Sequence, residues 1–157
     1  MPATAWRAGP DEAETVARLL VAFRDHNGKD WPSENAFLAS VENLIERTDT
    51  EFLLASPSED SPPEGVCQLR FRFSVWTASD DCWLEDLFVS DDARGKGVGA
   101  ALVEAALERA RVRGCRRIEL DTSESNQSAL RLYERFGFST SSKSDAPTRD
   151  LFLGRSL

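Results

Sequence analysis

Arg94-Gly95-Lys96-Gly97-Val98-Gly99-Ala100 decides how this chain is read. It lies between an apolar run, Trp83 to Val89, and a stretch of helical spacing, Val98 to Arg113, so it is a strand-to-helix turn. Three alternating glycines would destabilise a plain turn, because glycine loses more conformational freedom on folding than any other residue. They suit a turn whose backbone N–H groups converge on an anion at a helix N-terminus, where the macrodipole also favours negative charge. Arg94 and Lys96 add two cations, and a pyrophosphate is the natural guest. The spacing excludes both the G-x-x-x-x-G-K-[ST] phosphate loop and the G-x-G-x-x-G dinucleotide fingerprint.

Before this cradle, Cys67, Leu69, Phe71, Phe73 and Val75 alternate with Gln68, Arg70, Arg72 and Ser74. That is the period of a strand with one buried face, and it leaves Arg70 and Arg72 on the solvent side. Phe52 to Ala55 is a brief strand, and Ser56 to Glu64, rich in Ser, Pro and acids, is an exposed hairpin loop. Thr4 to Arg7 is a first strand. Asp11 is placed to cap a helix carrying Val16, Leu19, Leu20 and Phe23. Pro32-Ser33-Glu34 opens a second helix through Phe37, Leu38, Val41, Leu44 and Ile45, and His26 falls in the loop between the two.

After the cradle, Gly114 ends the long helix as a C-cap would. Arg117 to Asp121 is a strand and Gln127 to Phe136 a short helix, with closing strands expected at Phe138 to Ser141 and Leu151 to Gly154. The order β-α-α-β-β-β-α-β-α-β-β predicts an α/β fold of one mixed, mostly antiparallel sheet flanked by helices, with residues 1–157 forming a single domain.

Composition narrows the function. Apolar residues are 41% and charged residues 29% of the chain, ordinary for a folded protein. No window approaches the roughly 20 apolar residues that cross a bilayer, so the expected address is cytoplasmic, with no membrane partner. A net charge of −8 argues against a nucleic-acid partner and favours a cationic one. Cys67, Cys82 and Cys115 are odd in number and lack C-x-x-C spacing, so they read as packing residues. With His26 the only histidine, Ser-His-Asp chemistry and multi-histidine metal sites are not expected, and no metal is assigned.

Leu87-Phe88-Val89 followed by Arg94-x-x-Gly97-x-Gly99 resembles the acetyl-CoA motif of the GNAT superfamily of N-acetyltransferases. A second block, Asn126-Gln127-Ser128-Ala129-Leu130-Arg131-Leu132-Tyr133-Glu134-Arg135-Phe136-Gly137-Phe138, is similar to that family's N-x-x-A-x-x-x-Y-x-x-x-G-F signature. The run Leu84-Glu85-Asp86-Leu87-Phe88-Val89 is similar to the diamine and thialysine acetyltransferase branch. The resemblance implies acetyl-CoA as cofactor. Leu87, Phe88 and Val89 would run beside the pantetheine arm, and Arg94, Gly95, Lys96, Gly97, Val98, Gly99 and Ala100 would hold the pyrophosphate. Asn126, Ser128, Ala129 and Tyr133 would lie along the far side of the arm.

The chemistry needs a proton acceptor, because at neutral pH only about one alkylamine in a few thousand is unprotonated, a deficit of roughly 4–5 kcal/mol. By the resemblance, Glu85 relays the amine proton through water, and Asp86, Glu119 and Asp121 contact the cationic substrate. A backbone N–H near Val89 meets the oxyanion, and Tyr133 is the general acid toward the departing thiolate. The acceptor is then a small cationic amine such as a polyamine, lysine or thialysine, and the family likeness also implies a homodimer. Two other readings stay open: acetylation of a protein, peptide or antibiotic amine, and a non-catalytic acetyl-CoA sensor.

Overall fold

The computed structural model describes residues 2–140 and 151–157. Five strands form one sheet in the order β1-β2-β3-β4-β5: β1 Thr4–Arg7, β2 Thr50–Ser56, β3 Gly65–Ser74, β4 Ser79–Val89 and β5 Ile118–Glu119. The first four run antiparallel in sequence order, and β5 lies parallel to β4. Helices α1 Ala13–His26 and α2 Glu34–Leu44 cover one face, α3 Val98–Val112 covers the other, and α4 Gln127–Arg135 follows β5. The expected mixed sheet flanked by helices is the fold found.

Strand alternation divides the core in two. Phe52, Leu54, Val66 and Phe88 point toward α1 and α2, where Val16, Leu19 and Val41 meet them. Leu53, Ala55, Cys67, Leu69, Phe71, Cys82 and Leu84 point toward α3, against Val98, Leu102 and Ala106. Gly65 lets α3 start close to the sheet, since a Cβ there would stand 2.5 Å from Val98 Cγ1. Cys67 and Cys82 are buried, as packing residues should be, and burial raises both thiols.

Several local expectations need correction. Asp11 does not cap α1: Pro10–Glu12 is a 3-10 turn, and Glu12 reaches back to accept from Gly9 N at 3.1 Å and Trp6 Nε1 at 3.0 Å. His26 belongs to α1, as its last residue, and its ring tilts against Phe88 at 5.9 Å. Ser33 does cap α2, accepting from Ala36 N at 3.2 Å. The apolar face of β3 outruns its cover, leaving Phe73 and Val75 exposed at the tip of the β3–β4 hairpin. Phe138 to Thr140 and Leu151 to Gly154 are not strands, and Leu151, Phe152 and Leu153 are exposed; Ser141 lies outside the described residues. Apolar content alone does not specify a strand.

One buried charge ties the layers together. Glu51, at the start of β2, has a fully buried side chain and accepts from Arg109 Nε at 2.6 Å and Nη2 at 3.0 Å, with Arg113 at 3.4 Å and Arg7 at 3.8 Å. Arg113 also stacks on Phe71 at 3.8 Å and reaches Asp80 at 3.4 Å. Burial pushes the Glu51 carboxyl up, but the Arg109 hydrogen bonds and the three guanidinium charges together hold it below its ordinary value. The stability it contributes is therefore present above about pH 4.5 and is lost as pH falls through the lowered folded value. Glu51→Gln should cost about 3 kcal/mol at pH 7 in urea unfolding, and its gap to wild type should narrow below about pH 4.

Candidate active site

The site begins with a break in β4. Between Val66↔Phe88 and Gln68↔Glu85, β3 advances two residues while β4 advances three, so β4 carries a bulge at Asp86-Leu87. Asp86 takes the left-handed conformation there, with φ +57°. The extra residue inverts side-chain parity. Leu84 faces α3, but Phe88, four residues on, faces α1, where it stacks on Phe23 at 5.3 Å. Plain alternation would have put both on one face.

The second break is between strands. β5 pairs with β4 only at Cys82↔Ile118 and Trp83↔Glu119, after which the chains part. The gap is a cleft of about 580 Å³, within the range of small-molecule sites. Glu85, Asp86, Leu87 and Val89 line one wall, and Asp121, Thr122, Asn126, Ser128, Ala129, Leu132 and Tyr133 the other. Arg94, Gly95, Gly97, Val98, Gly99 and Ala100 form its end, at the N-terminus of α3.

The cradle glycines have separate reasons. Gly95 and Gly97 both take positive φ, +75° and +83°, and Gly97 is the N-cap of α3. A Cβ on Gly99 would stand 3.1 Å from Leu132 Cδ2, so its absence lets α3 and α4 approach. The first N–H groups of the helix have no intrahelical acceptor and face the cleft end. Arg94 is held by Asp91 at 3.2 Å.

On the far wall the Asn126 side chain caps α4, accepting from Ala129 N at 3.3 Å and Ser128 Oγ at 3.4 Å. The cap fixes the helix that carries Tyr133, whose ring meets Phe138 edge-on at 5.7 Å. Burial, with a smaller contribution from Cys67, pushes the Tyr133 phenol up to about 12. Burial also raises the Asp86 carboxyl, aided by Glu85 and Asp121 and opposed by Arg70. Asp86 therefore holds its proton more readily than an ordinary aspartate.

Three residues expected at the site do not line the cleft: Phe88, turned to the other face by the bulge; Lys96, exposed in the turn; and Glu119, at the end of β5, which pairs with Arg117 at 3.5 Å. Glu119 and Asp121 were expected to share a strand face, but β5 ends at Glu119 and only Asp121 reaches the cleft. Arg70 does more than face solvent, since it forms an ion pair with Glu85. Sequence reasoning missed Phe23, Leu84, Ala93, Thr122, Leu132 and Arg135. Thr122, the residue directly after the expected strand Arg117 to Asp121, carried the only usable signal, its place beside Asp121.

The profile of the acetyltransferase (GNAT) family matches residues 16–138. An uncharacterised N-acetyltransferase of Bacillus subtilis, YhfO, is 31% identical over 134 residues, 84% of this chain and 87% of that protein. The thialysine N-epsilon-acetyltransferase of Sus scrofa is 31% identical over 90 residues, 54% of this chain and 51% of that enzyme, so the chain spans about half its length. A solved structure from Arthrobacter sp. FB24, assigned as an acetyltransferase, superposes with a TM-score of 0.85 at 30% identity, covering 98% of this chain and 96% of that one. With the family profile spanning most of its length, and a cleft formed where β4 bulges and β5 diverges, this chain belongs to the acetyltransferase (GNAT) family.

Proposed function

We propose that residues 1–157 are one catalytic domain that transfers an acetyl group from acetyl-CoA to the primary amine of a small cationic molecule. The observation that carries the reading is the cleft itself, which has an anion-suited glycine turn at one end and the carboxylates Glu85, Asp86 and Asp121 on its walls. The residues fit the cofactor: Gly95 and Gly97 take the positive φ of an anion-binding backbone turn and place no side chain there, and both line the cleft end. Gly95, Gly97, Val98, Gly99 and Ala100 would hold the pyrophosphate, with Arg94 released from Asp91. Leu87 and Val89 would flank the pantetheine arm opposite Asn126, Ser128 and Ala129. Acetyl-CoA supplies an activated acyl group as a thioester.

Glu85 accepts the ammonium proton through water, and Asp86 and Asp121 attract the cation. The neutral amine would attack the thioester carbonyl, whose oxygen the N–H of Val89 would meet, and the second amine proton would pass to solvent as the thiolate departs. Tyr133, on the cleft wall, would face the departing sulfur. A phenol near 12 is a far weaker acid than a thiol of about 8.5, so Tyr133 donates a hydrogen bond to the thiolate and need not complete proton transfer. Three carboxylates on the cleft wall favour a polyamine or a lysine-like or thialysine-like acceptor over a neutral amine. The name of the pig relative points the same way. Family likeness carries the further expectation of a homodimer; among the described residues no helix is long and apolar enough to cross a membrane.

Thiol release from acetyl-CoA should be fast with one of spermidine, putrescine, lysine or thialysine and slow with an aminoglycoside or a short peptide. Tyr133→Phe should lower kcat by about 10² with little change in KM. Tight acetyl-CoA binding with no turnover on any amine would turn the reading toward a sensor. Gly97→Ala, which forces a side chain into the left-handed region, should destabilise by about 1–2 kcal/mol and weaken acetyl-CoA binding, measured by calorimetry. Because Tyr133 is the only tyrosine, phenolate absorbance reads it alone. Native protein stepped to about pH 11 should show little phenolate at first, rising to the denatured level as the chain unfolds.

A further inference from the structure

Five charged side chains line the cleft: Glu85, Asp86, Arg94, Asp121 and Arg135. The three carboxylates are assigned to the acceptor in the reading above, and Arg94 is held by Asp91 at 3.2 Å. Arg135 has no assignment. It is exposed and, among the described residues, forms no ion pair. It stands in the last turn of α4, where the helix macrodipole favours a cation. The dipole does not explain why the side chain lines a cleft.

The levels of α4 can be matched to what stands across from them. Asn126, Ser128 and Ala129 lie at its start, on the wall opposite Leu87 and Val89. Leu132, about one turn on, meets the first turn of α3, since a Cβ on Gly99 would stand 3.1 Å from Leu132 Cδ2. That is the level of the glycine cradle. Arg135 follows Leu132 at i+3, on the same helix face and about 4.5 Å further along the axis. The helix thus passes the pantetheine wall, then the cradle, and then carries an unpaired guanidinium beyond it. Coenzyme A has its charged parts in that order: the pantetheine arm, the pyrophosphate, and a ribose bearing a third phosphate. The cradle N–H groups are taken by the pyrophosphate, so the third phosphate, a monoester that is nearly dianionic at neutral pH, needs a separate donor.

We propose that Arg135 holds the 3′-phosphate of coenzyme A, so that the site distinguishes acetyl-CoA from its 3′-dephospho form. This rests on the functional reading above. A guanidinium offers two parallel N–H donors to two phosphate oxygens, a fork that a lysine ammonium does not reproduce. The contact adds affinity and takes no part in acetyl transfer. Because the side chain is exposed, its contribution falls as ionic strength rises.

Calorimetric titration of the full chain at low ionic strength, with no acceptor amine present, tests the assignment. Wild type should bind acetyl-CoA about tenfold more tightly than 3′-dephospho-acetyl-CoA. Arg135→Gln should lose about tenfold toward acetyl-CoA and stay within about twofold of wild type toward the dephospho cofactor, with Tm unchanged because the side chain is exposed. Arg135→Lys should recover only part of the loss. Equal wild-type affinity for the two cofactors overturns the assignment, as does an equal loss toward both in Arg135→Gln, and either result leaves the functional reading standing. A wild-type protein that binds neither cofactor sinks both.

Discussion

The site depends on one irregularity, the extra residue that β4 inserts at Asp86-Leu87. Holding a non-glycine residue at positive φ costs on the order of 1 kcal/mol, and aspartate tolerates it better than most because its short side chain bonds locally. The bulge kinks β4 and inverts the facing of every residue after it. Leu84 and Phe88 can then serve opposite cores, while Glu85 faces the α1 side and Leu87 and Val89 the α3 side. Without the bulge β4 would present one apolar face throughout, and the cleft would lose the arrangement that sets carboxylates beside the glycine cradle.

A second break, the parting of β5 from β4 after two paired residues, converts that kink into a space. The sheet can open there because it is anchored elsewhere. Glu51 joins β2 to the C-terminal half of α3 through Arg109 and Arg113, and Gly65 brings the N-terminal half of α3 down onto the sheet. The helix that presents the cradle is thus fixed at both ends, and its N-terminus stays aligned with the widening gap. A rigid scaffold around a locally irregular strand is what a preformed site requires.

The electrostatics follow from this arrangement. Burial in the cleft walls raises both the Asp86 carboxyl and the Tyr133 phenol above their ordinary values. Glu85, in register with Gln68 across the β3–β4 ladder, is the cleft carboxylate that forms an ion pair with Arg70.

The sequence by itself determined the four helices and the first five strands, their order along the chain, and the glycine turn at the start of α3. Each of these rests on spacing over fewer than about ten residues, where period and capping chemistry act directly. The tertiary structure alone decided that Phe88 leaves the cleft, that Glu119 pairs on β5 while Asp121 enters the site, that Arg70 meets Glu85, and that Phe138 to Thr140 and Leu151 to Gly154 form no strands. Those outcomes depend on which backbone groups find partners on another strand. A bulge that shifts register by one residue, or a strand that diverges after two pairs, leaves no mark in local periodicity yet reassigns every side chain beyond it.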